Sequence, residues 1–517
     1  MTVAPEHELT AGRPLGSRSS TRGAQWIFSW PLLAGASTYL FFISRGNDLL
    51  LDSDTFWHIA TGQMILRDGK IPQADPFSHT MAGAAWTAHE WLAAVVLAAA
   101  HQAGGWPVVV AVTALAFAVT IALLTHALLR WLEPIYALLF AGAAIGMAAG
   151  HLLARPHALA MPLLMIWTIE LVRASEANRA PGFWLLPLMT VWANLHGGFT
   201  LGIALAGAMA MEAVINAGRE TRTATVKSWG LFLALATISA LVTPHGVQGI
   251  LFTWQILSEH GYALARIGEW RSPDFHTFQP LELWILGGLA LALYQGLRLP
   301  PIRLVLLVGL LHLALKHARY IELVGLLAPL FVAAPFAAQW RLAQQGRQQS
   351  QGLDRLFRKL AQPAGQAAVF VCFAILLGAT LWWAKARPPA PPETNAPALA
   401  VKAVQQAGVK GPVLNSYDTG GYLIYMGIAP FIDGRNDVYG DSFLKRYIEA
   451  LELRSGDDLR KMLDQYKITW TLLNPESSAV AMLDHLPQWR RLYTDKTAVV
   501  HVHVGPEVAS GTTGASK

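Results

Sequence analysis

Cysteine and charge are what this chain has least of. One cysteine, Cys372, stands among 517 residues, which excludes an intrachain disulfide framework and a cysteine-based zinc site. Charged residues make up 14% of the chain and apolar residues 53%. A soluble domain carries about 25% charged residues, so this composition points to a membrane protein. The polar stretch 1–24, with Arg13, Arg18 and Arg22, has no small-residue cleavage site after a short apolar core. It reads as an uncleaved cytoplasmic tail leading into an anchor helix. No second histidine follows His89-Glu90 at the zincin spacing, which argues against a zinc protease. No internal repeat is visible. The net charge of +6 sits in short loops between apolar runs, so topology explains it better than nucleic-acid binding does.

What is abundant is apolar length and tryptophan, of which there are 19, a residue that favours membrane interfaces. Spanning candidates are the runs 26–44, 107–129, 135–153, 158–172, 183–195, 199–215, 229–242, 281–297, 304–315, 321–338 and 367–383. Several fall short of the roughly 20 residues that cross a bilayer, so they extend into their flanks or turn below the surface. The run 88–103 is apolar enough to cross, but counting it reverses every later loop. Positive charge decides. If 88–103 lies in the interface, Arg173/Arg179, Arg219/Arg222/Lys227, Arg298/Arg303 and the basic stretch 341–359 all share the inner side with the N-terminus.

This predicts a mainly α, polytopic bundle of about eleven spans over 26–384, with the tail 1–25 cytoplasmic. The first external loop, 45–106, contains juxtamembrane helices. A Pro/Ala-rich linker, 385–399, leads to a small external soluble α/β domain, 400–504, and a disordered tail, 505–517. Within that domain the pattern predicts a helix over 398–407, strands over 411–415, 431–433, 468–473 and 498–504, and a turn opening a helix at 418–422.

The same placement collects the chemistry outside. Asp52-Ser53-Asp54 precedes an amphipathic helix, 54–66, that carries Trp57 and His58. Helix capping explains one aspartate comfortably and two less so. His58 lies one turn after Asp54, placed to orient it or to bind phosphate. Asp75 fixes a turn before Pro76, and His89-Glu90 opens the interfacial helix. Arg155-Pro156-His157 is either an arginine snorkelling at a helix end or a phosphate ligand. Asn194-Leu-His196-Gly-Gly is either a packed helix turn or irregular backbone lining a polar cavity. His317-Ala-Arg319 repeats the cationic pairing, so two such pairs on one face would clamp an anion. Asp433-Gly-Arg435-Asn-Asp437 either pairs internally or contacts substrate above the membrane.

These motifs together resemble the GT-C superfamily of polytopic membrane glycosyltransferases, including its RgtA/B/C/D-like and dolichyl-phosphate-mannosyltransferase-like branches. The pattern is similar also to a broad group of bacterial membrane proteins with Asp-x-Asp-x-x-Trp-His, His-Glu-Trp-Leu, Arg-Pro-His, Asn-Leu-His-Gly-Gly and Asp-Gly-Arg-x-Asp-Val-Tyr. The resemblance covers nearly the whole chain, and it implies a bacterial inner membrane with the C-terminal domain in the periplasm. It implies transfer of a sugar from a polyprenyl-phosphate donor to a hydroxyl on a lipid, glycan or protein acceptor. It implies that Asp54 or Asp52 is the base or acceptor-orienting carboxylate. Donor phosphate and substrate then fall to His58, His89, Glu90, Arg155, His157, Asn194, His196, His317, Arg319, Asp433, Arg435 and Asp437. The superfamily includes metal-dependent and metal-independent members, so a divalent cation (Mg or Mn) on Asp52 and Asp54 stays open. Two other classes fit less well: a flippase for a lipid-linked glycan, which would show inverted repeats, and a non-catalytic envelope assembly protein, whose external polar residues would be scattered.

Overall fold

The computed structural model describes residues 28–259, 261–262, 268–344, 359–454 and 457–504. The expected tails 1–25 and 505–517, and most of the basic stretch 341–359, lie outside the described residues. The helices in chain order begin with α1 (Trp30–Ser44), α2 (Asp54–Asp68), α3 (Trp91–Gly104), α4 (Trp106–Leu128), α5 (Pro134–Ala148) and α6 (Pro156–Glu176). Then come α7 (Leu185–Leu195), α8 (Phe199–Asn216), α9 (Arg222–Ala240), α10 (Val247–Glu259), α11 (Pro280–Gln295), α12 (Pro301–Lys316), α13 (Ile321–Gln344) and α14 (Gln366–Ala386). Proline at the first position starts α5, α6, α11 and α12, where its missing N–H costs nothing.

A helix coincides with each apolar run expected to span. Among the described residues, five stretches are long and apolar enough to cross a membrane: Trp106–Leu128, Pro156–Glu176, Phe199–Asn216, Ala318–Gln339 and Gln366–Ala386. Shorter apolar helices accompany them, α1, α5, α7 and α11 among others. The chain is a multi-pass helical membrane protein. Two apolar cores hold the bundle: α1, α4, α5 and the start of α6 meet α13 in one, and α6 to α9 meet α12 and α13 in the other.

Side-chain and backbone contacts sort the helix ends into two levels. At one level, Ala154 N–H donates to Leu49 O and Ala318 N–H to Arg271 O, while Asn194 Nδ2 donates to Val242 O. At the other, Arg303 binds Glu212 and Glu176, and Gln339 donates to Arg298 O. Helix α3 does not run between these levels. Glu90 at its start lies 3.7 Å from His58 of α2, and His101 near its end lies 3.4 Å from the Tyr425 hydroxyl of the C-terminal domain. Both ends of α3 therefore touch the first level.

The C-terminal domain comprises α15 (Ala398–Gln406), α16 (Gly420–Tyr425), α17 (Asn436–Leu451), α18 (Asp458–Gln465) and α19 (Ser478–Asp484) around a four-stranded sheet. Strands β1 (Val413–Asn415), β2 (Trp470–Leu473), β3 (Trp489–Thr494) and β4 (Val499–His503) are ordered β1-β2-β4-β3. β1 and β2 are parallel, and the remaining pairs are antiparallel. Two expectations are corrected here. The segment 431–433 is no strand: its carbonyls and N–H groups are held by the Asn415 and Thr80 side chains instead of a ladder, and His79 N–H donates to Pro430 O just before it. β3 was not foreseen, because its half-exposed, arginine-bearing run lacks the apolar signal of a buried strand.

The sheet domain does not stand apart from the first loop. One of its cores takes in Trp86 and Ala88, and another takes in Phe56 of α2. A Cβ on Gly421 would collide with Ser53 O, so only glycine lets α16 lie this close to the start of α2.

Candidate active site

The turn before α2 divides the two aspartates by role. Asp54 N–H donates to Asp52 Oδ1 at 2.8 Å, an Asx turn that starts the helix. The capping duty expected of one aspartate is thus met by Asp52, and the Asp54 carboxylate points at Arg155. Arg155 Nη2 lies 2.5 Å from Asp54 Oδ2, its Nε contacts Asp52, and its Nη1 donates to Glu269 Oε2 at 2.9 Å. The other Glu269 oxygen accepts from Arg319 Nη1 at 3.3 Å. Arg319 lies over the Trp270 ring, 4.3 Å from its centroid. Residues from the first loop, the start of α6, the turn Gly268–Trp270 and the turn before α13 therefore form one ionic cluster.

Burial pushes the Asp54 carboxyl up to about 7; Arg155 opposes this and the Asp52 charge adds to it. Asp52 is shifted upward by burial too, against the pull of Arg155. Burial also acts upward on Glu269, but Arg155 and Arg319 outweigh it and hold that carboxyl below its ordinary range. Two carboxylates that share one arginine thus differ in how readily they accept a proton.

A second polar group adjoins the first. Glu90 lies 3.7 Å from His58 Nε2, 3.6 Å from His89 Nε2 and 3.6 Å from His196 Nε2. Burial pushes Glu90 up to about 8 and holds His58 and His89 below the usual imidazole value. The His157 and His196 ring centroids are 6.4 Å apart, so His157 belongs to this group as well. Asp437, at the start of α17, faces His89, and burial raises its carboxyl.

The C-terminal domain reaches the site through its backbone. A Cβ on Gly434 would overlap the Asp54 carboxylate, so the 433–435 turn lies directly on that group. Tyr417, whose hydroxyl accepts from Asn436 Nδ2 at 2.8 Å, is close enough to feel the Asp54 charge.

Four residues expected to bind substrate make structural contacts in this fold. Asn194 accepts from Trp91 Nε1 and donates to Thr190 O and Val242 O, which pins α3, α7 and the end of α9 together. His317 donates from Nδ1 to Trp270 O, so it props the turn that carries Glu269. Asp433 and Arg435 pair with each other in full burial, and Arg435 also donates to Asp75 at 2.6 Å. Phe77 and Trp86 flank that guanidinium, and Tyr439 donates to Asp433. The internal pairing considered for this loop is what the fold adopts, extended to the first loop through Asp75.

The divalent cation expected on Asp52 and Asp54 fits poorly. Both carboxylates turn toward the Arg155 guanidinium, which fills the space between them with positive charge. Among the described residues, no three histidine, cysteine or acidic side chains are arranged to hold a metal. Glu269 and Gly434 were missed as site residues. In the sequence Glu269 is one charge beside Trp270 and Arg271, and Gly434 a spacer within a charged loop.

No family model matches the chain, and no curated protein matches it in sequence. Its fold does match solved structures. The Archaeoglobus fulgidus oligosaccharyltransferase in its apo form superposes with a TM-score of 0.53 at 10% identity, over 86% of this chain and 69% of that one. The same organism's AglB, in complex with an inhibitory peptide and a dolichol-phosphate, gives 0.52 at 10% identity with the same coverage. ArnT from Cupriavidus metallidurans bound to undecaprenyl phosphate aligns over 92% of this chain and 98% of its own, at 14% identity and a TM-score of 0.47. The fold is of the GT-C type, as the motifs led us to expect.

Proposed function

We propose that this protein is a membrane glycosyltransferase that moves a sugar from a polyprenyl-phosphate donor to an acceptor hydroxyl, at the membrane face carrying the C-terminal domain. One observation carries the reading: on a GT-C fold, Asp52, Asp54, Arg155, Glu269 and Arg319 converge from distant segments into one ionic cluster under that domain. The solved AglB complex with dolichol-phosphate supports the donor class.

The chemistry asks for two things. The acceptor oxygen attacks the anomeric carbon as the sugar–phosphate bond breaks, and the electron pair leaves on the phosphate. That developing charge needs cations, which Arg155 and Arg319 supply as preorganised guanidiniums. The acceptor hydroxyl must lose its proton, which passes to a carboxylate. Asp54 suits the role because burial already favours its protonated form. As the phosphate claims Arg155, the group opposing that shift weakens and the carboxylate becomes a better base. Asp52 holds the turn and orients Arg155. In this reading eleven helices, α1, α4 to α9 and α11 to α14, cross the bilayer alternately, while α2 and α3 lie along its surface. The basic loops then mark the cytoplasmic side and the site faces the periplasm.

The test is Asp54→Asn in the purified, inserted protein supplied with a polyprenyl-phosphate sugar. Transfer should fall by roughly 10²–10⁴-fold, the usual contribution of a general base. With the base at about 7 in the free enzyme, wild-type kcat/KM rises with pH through neutrality and levels off above it, and the variant loses this limb. Retained turnover with an unchanged pH profile would remove Asp54 from the role.

A further inference from the structure

Glu269 stands out because no step above uses it, yet it is the group that joins the two arginines. Arg155 spends one edge on each of three carboxylates: Nε on Asp52, Nη2 on Asp54 and Nη1 on Glu269. Among the described residues, Arg319 contacts one carboxylate, that of Glu269. Glu269 therefore divides its oxygens, Oε2 to Arg155 at 2.9 Å and Oε1 to Arg319 at 3.3 Å. An anion bridging two guanidiniums from different segments, oxygen by oxygen, stands where a phosphate would be clamped.

We propose that Glu269 is a placeholder for the donor phosphate, bridging Arg155 and Arg319 until the phosphate displaces its carboxylate. This rests on the glycosyltransferase reading and names how that same site takes up its donor. Three features single out Glu269 as the group that leaves. It is the most exposed carboxylate on Arg155, at 27% against 9% for Asp52 and 16% for Asp54. Its side chain is longer, whereas Asp52 is tied into the helix-starting turn and Asp54 lies under Gly434. Its backbone is held by Arg271 N–H donating to Gly268 O across it and, just after it, by His317 on Trp270 O and Ala318 N–H on Arg271 O, so rotation of the side chain alone suffices.

Charge favours the exchange. With Glu269 in place, the groups in direct contact are three carboxylates against two guanidiniums. A phosphate added beside Glu269 would put like charges on the same donors. A phosphate in place of Glu269 preserves the pairing. The carboxylate keeps Arg155 and Arg319 converged while the site is empty, and it competes with the donor for them.

The competition gives Glu269 a signature opposite to that of a binding or scaffolding residue: neutralising it strengthens lipid-phosphate binding. The experiment measures undecaprenyl phosphate binding to the full chain in detergent, for wild type, Glu269→Gln and Glu269→Asp. Glu269→Gln keeps the shape and removes the charge, so its Kd should fall about tenfold. Glu269→Asp keeps the charge but draws it back by one methylene, so its Kd should fall less. Equal or weaker binding by both variants, with wild type binding, overturns the placeholder role and leaves the transferase reading standing. No binding by wild type, Glu269→Gln or Glu269→Asp overturns the phosphate site itself, and the inference with it.

Discussion

Arg155 shows how much one residue's placement can decide. It precedes Pro156, which sets the first turn of α6, and so it stands at the level of the site with all its edges used. Lysine would supply the charge without the fork that meets three carboxylates at once. Gly434 is the least conspicuous residue here and among the most constrained. Gly434→Ala would drive a methyl into the Asp54 carboxylate, and either the turn or the carboxylate must move. A displacement of about 1 Å near the chemistry costs on the order of 10²-fold in rate. We expect that loss of transfer with the melting temperature within a few degrees of wild type; wild-type turnover would show that the turn does not bear on Asp54.

At this scale the charged motifs were legible. Asp52, Asp54 and Arg155 announce themselves because charge next to a membrane is expensive, so each had to have a partner. Glu269 and Gly434 did not, since nothing local marks a glutamate that bridges two distant arginines or a glycine that must clear a distant carboxylate. Asn194 and His317 are the complementary case. Their chemistry suits ligand binding, and their neighbours show that they also pin helices and a turn.

Among the elements, the junction between the first loop and the C-terminal domain repays the closest attention. Arg435 sits fully buried between Asp433 and Asp75, with Phe77 and Trp86 against its guanidinium. Its pairing holds Asp433 low despite burial that acts the other way. Arg435→Met would leave two buried carboxylates without a counter-charge, a class of change that costs about 3–5 kcal/mol. The C-terminal domain should then loosen from the loop, read as a lower melting temperature and faster proteolysis within the 385–399 linker. Unaltered cleavage and melting would mean the apolar cores around Trp86 and Phe56 suffice alone. Most of the helices here were readable from apolar length and from their N-terminal prolines. Segment 431–433 was not, because its β-like composition serves a buried stretch whose hydrogen bonds come from the Asn415 side chain and the first loop.

For the molecule as a whole, the decisive quantity is which side each level faces. Cys372, the single native thiol, allows a clean test. In a Cys372→Ala background, a cysteine at exposed Glu476 should react with an impermeant maleimide in spheroplasts. One at exposed Arg219 should react only after the membrane is permeabilised. The reverse pattern would invert the topology and place the site in the cytoplasm, away from the proposed chemistry.

Read alone, the chain determined its solvent and its helices, because a bilayer demands long apolar runs with internally satisfied backbone and leaves basic residues in the loops. It determined also that two aspartates, several arginines and several histidines gather at one level of the bundle. Only the tertiary structure decided which of them meet. Ionic partners such as Arg155 and Glu269, 114 residues apart, are chosen by helix packing that no local pattern encodes. It alone showed that the C-terminal domain is built into the first loop, since their shared cores form from side chains whose segments each look like ordinary surface or interface on their own.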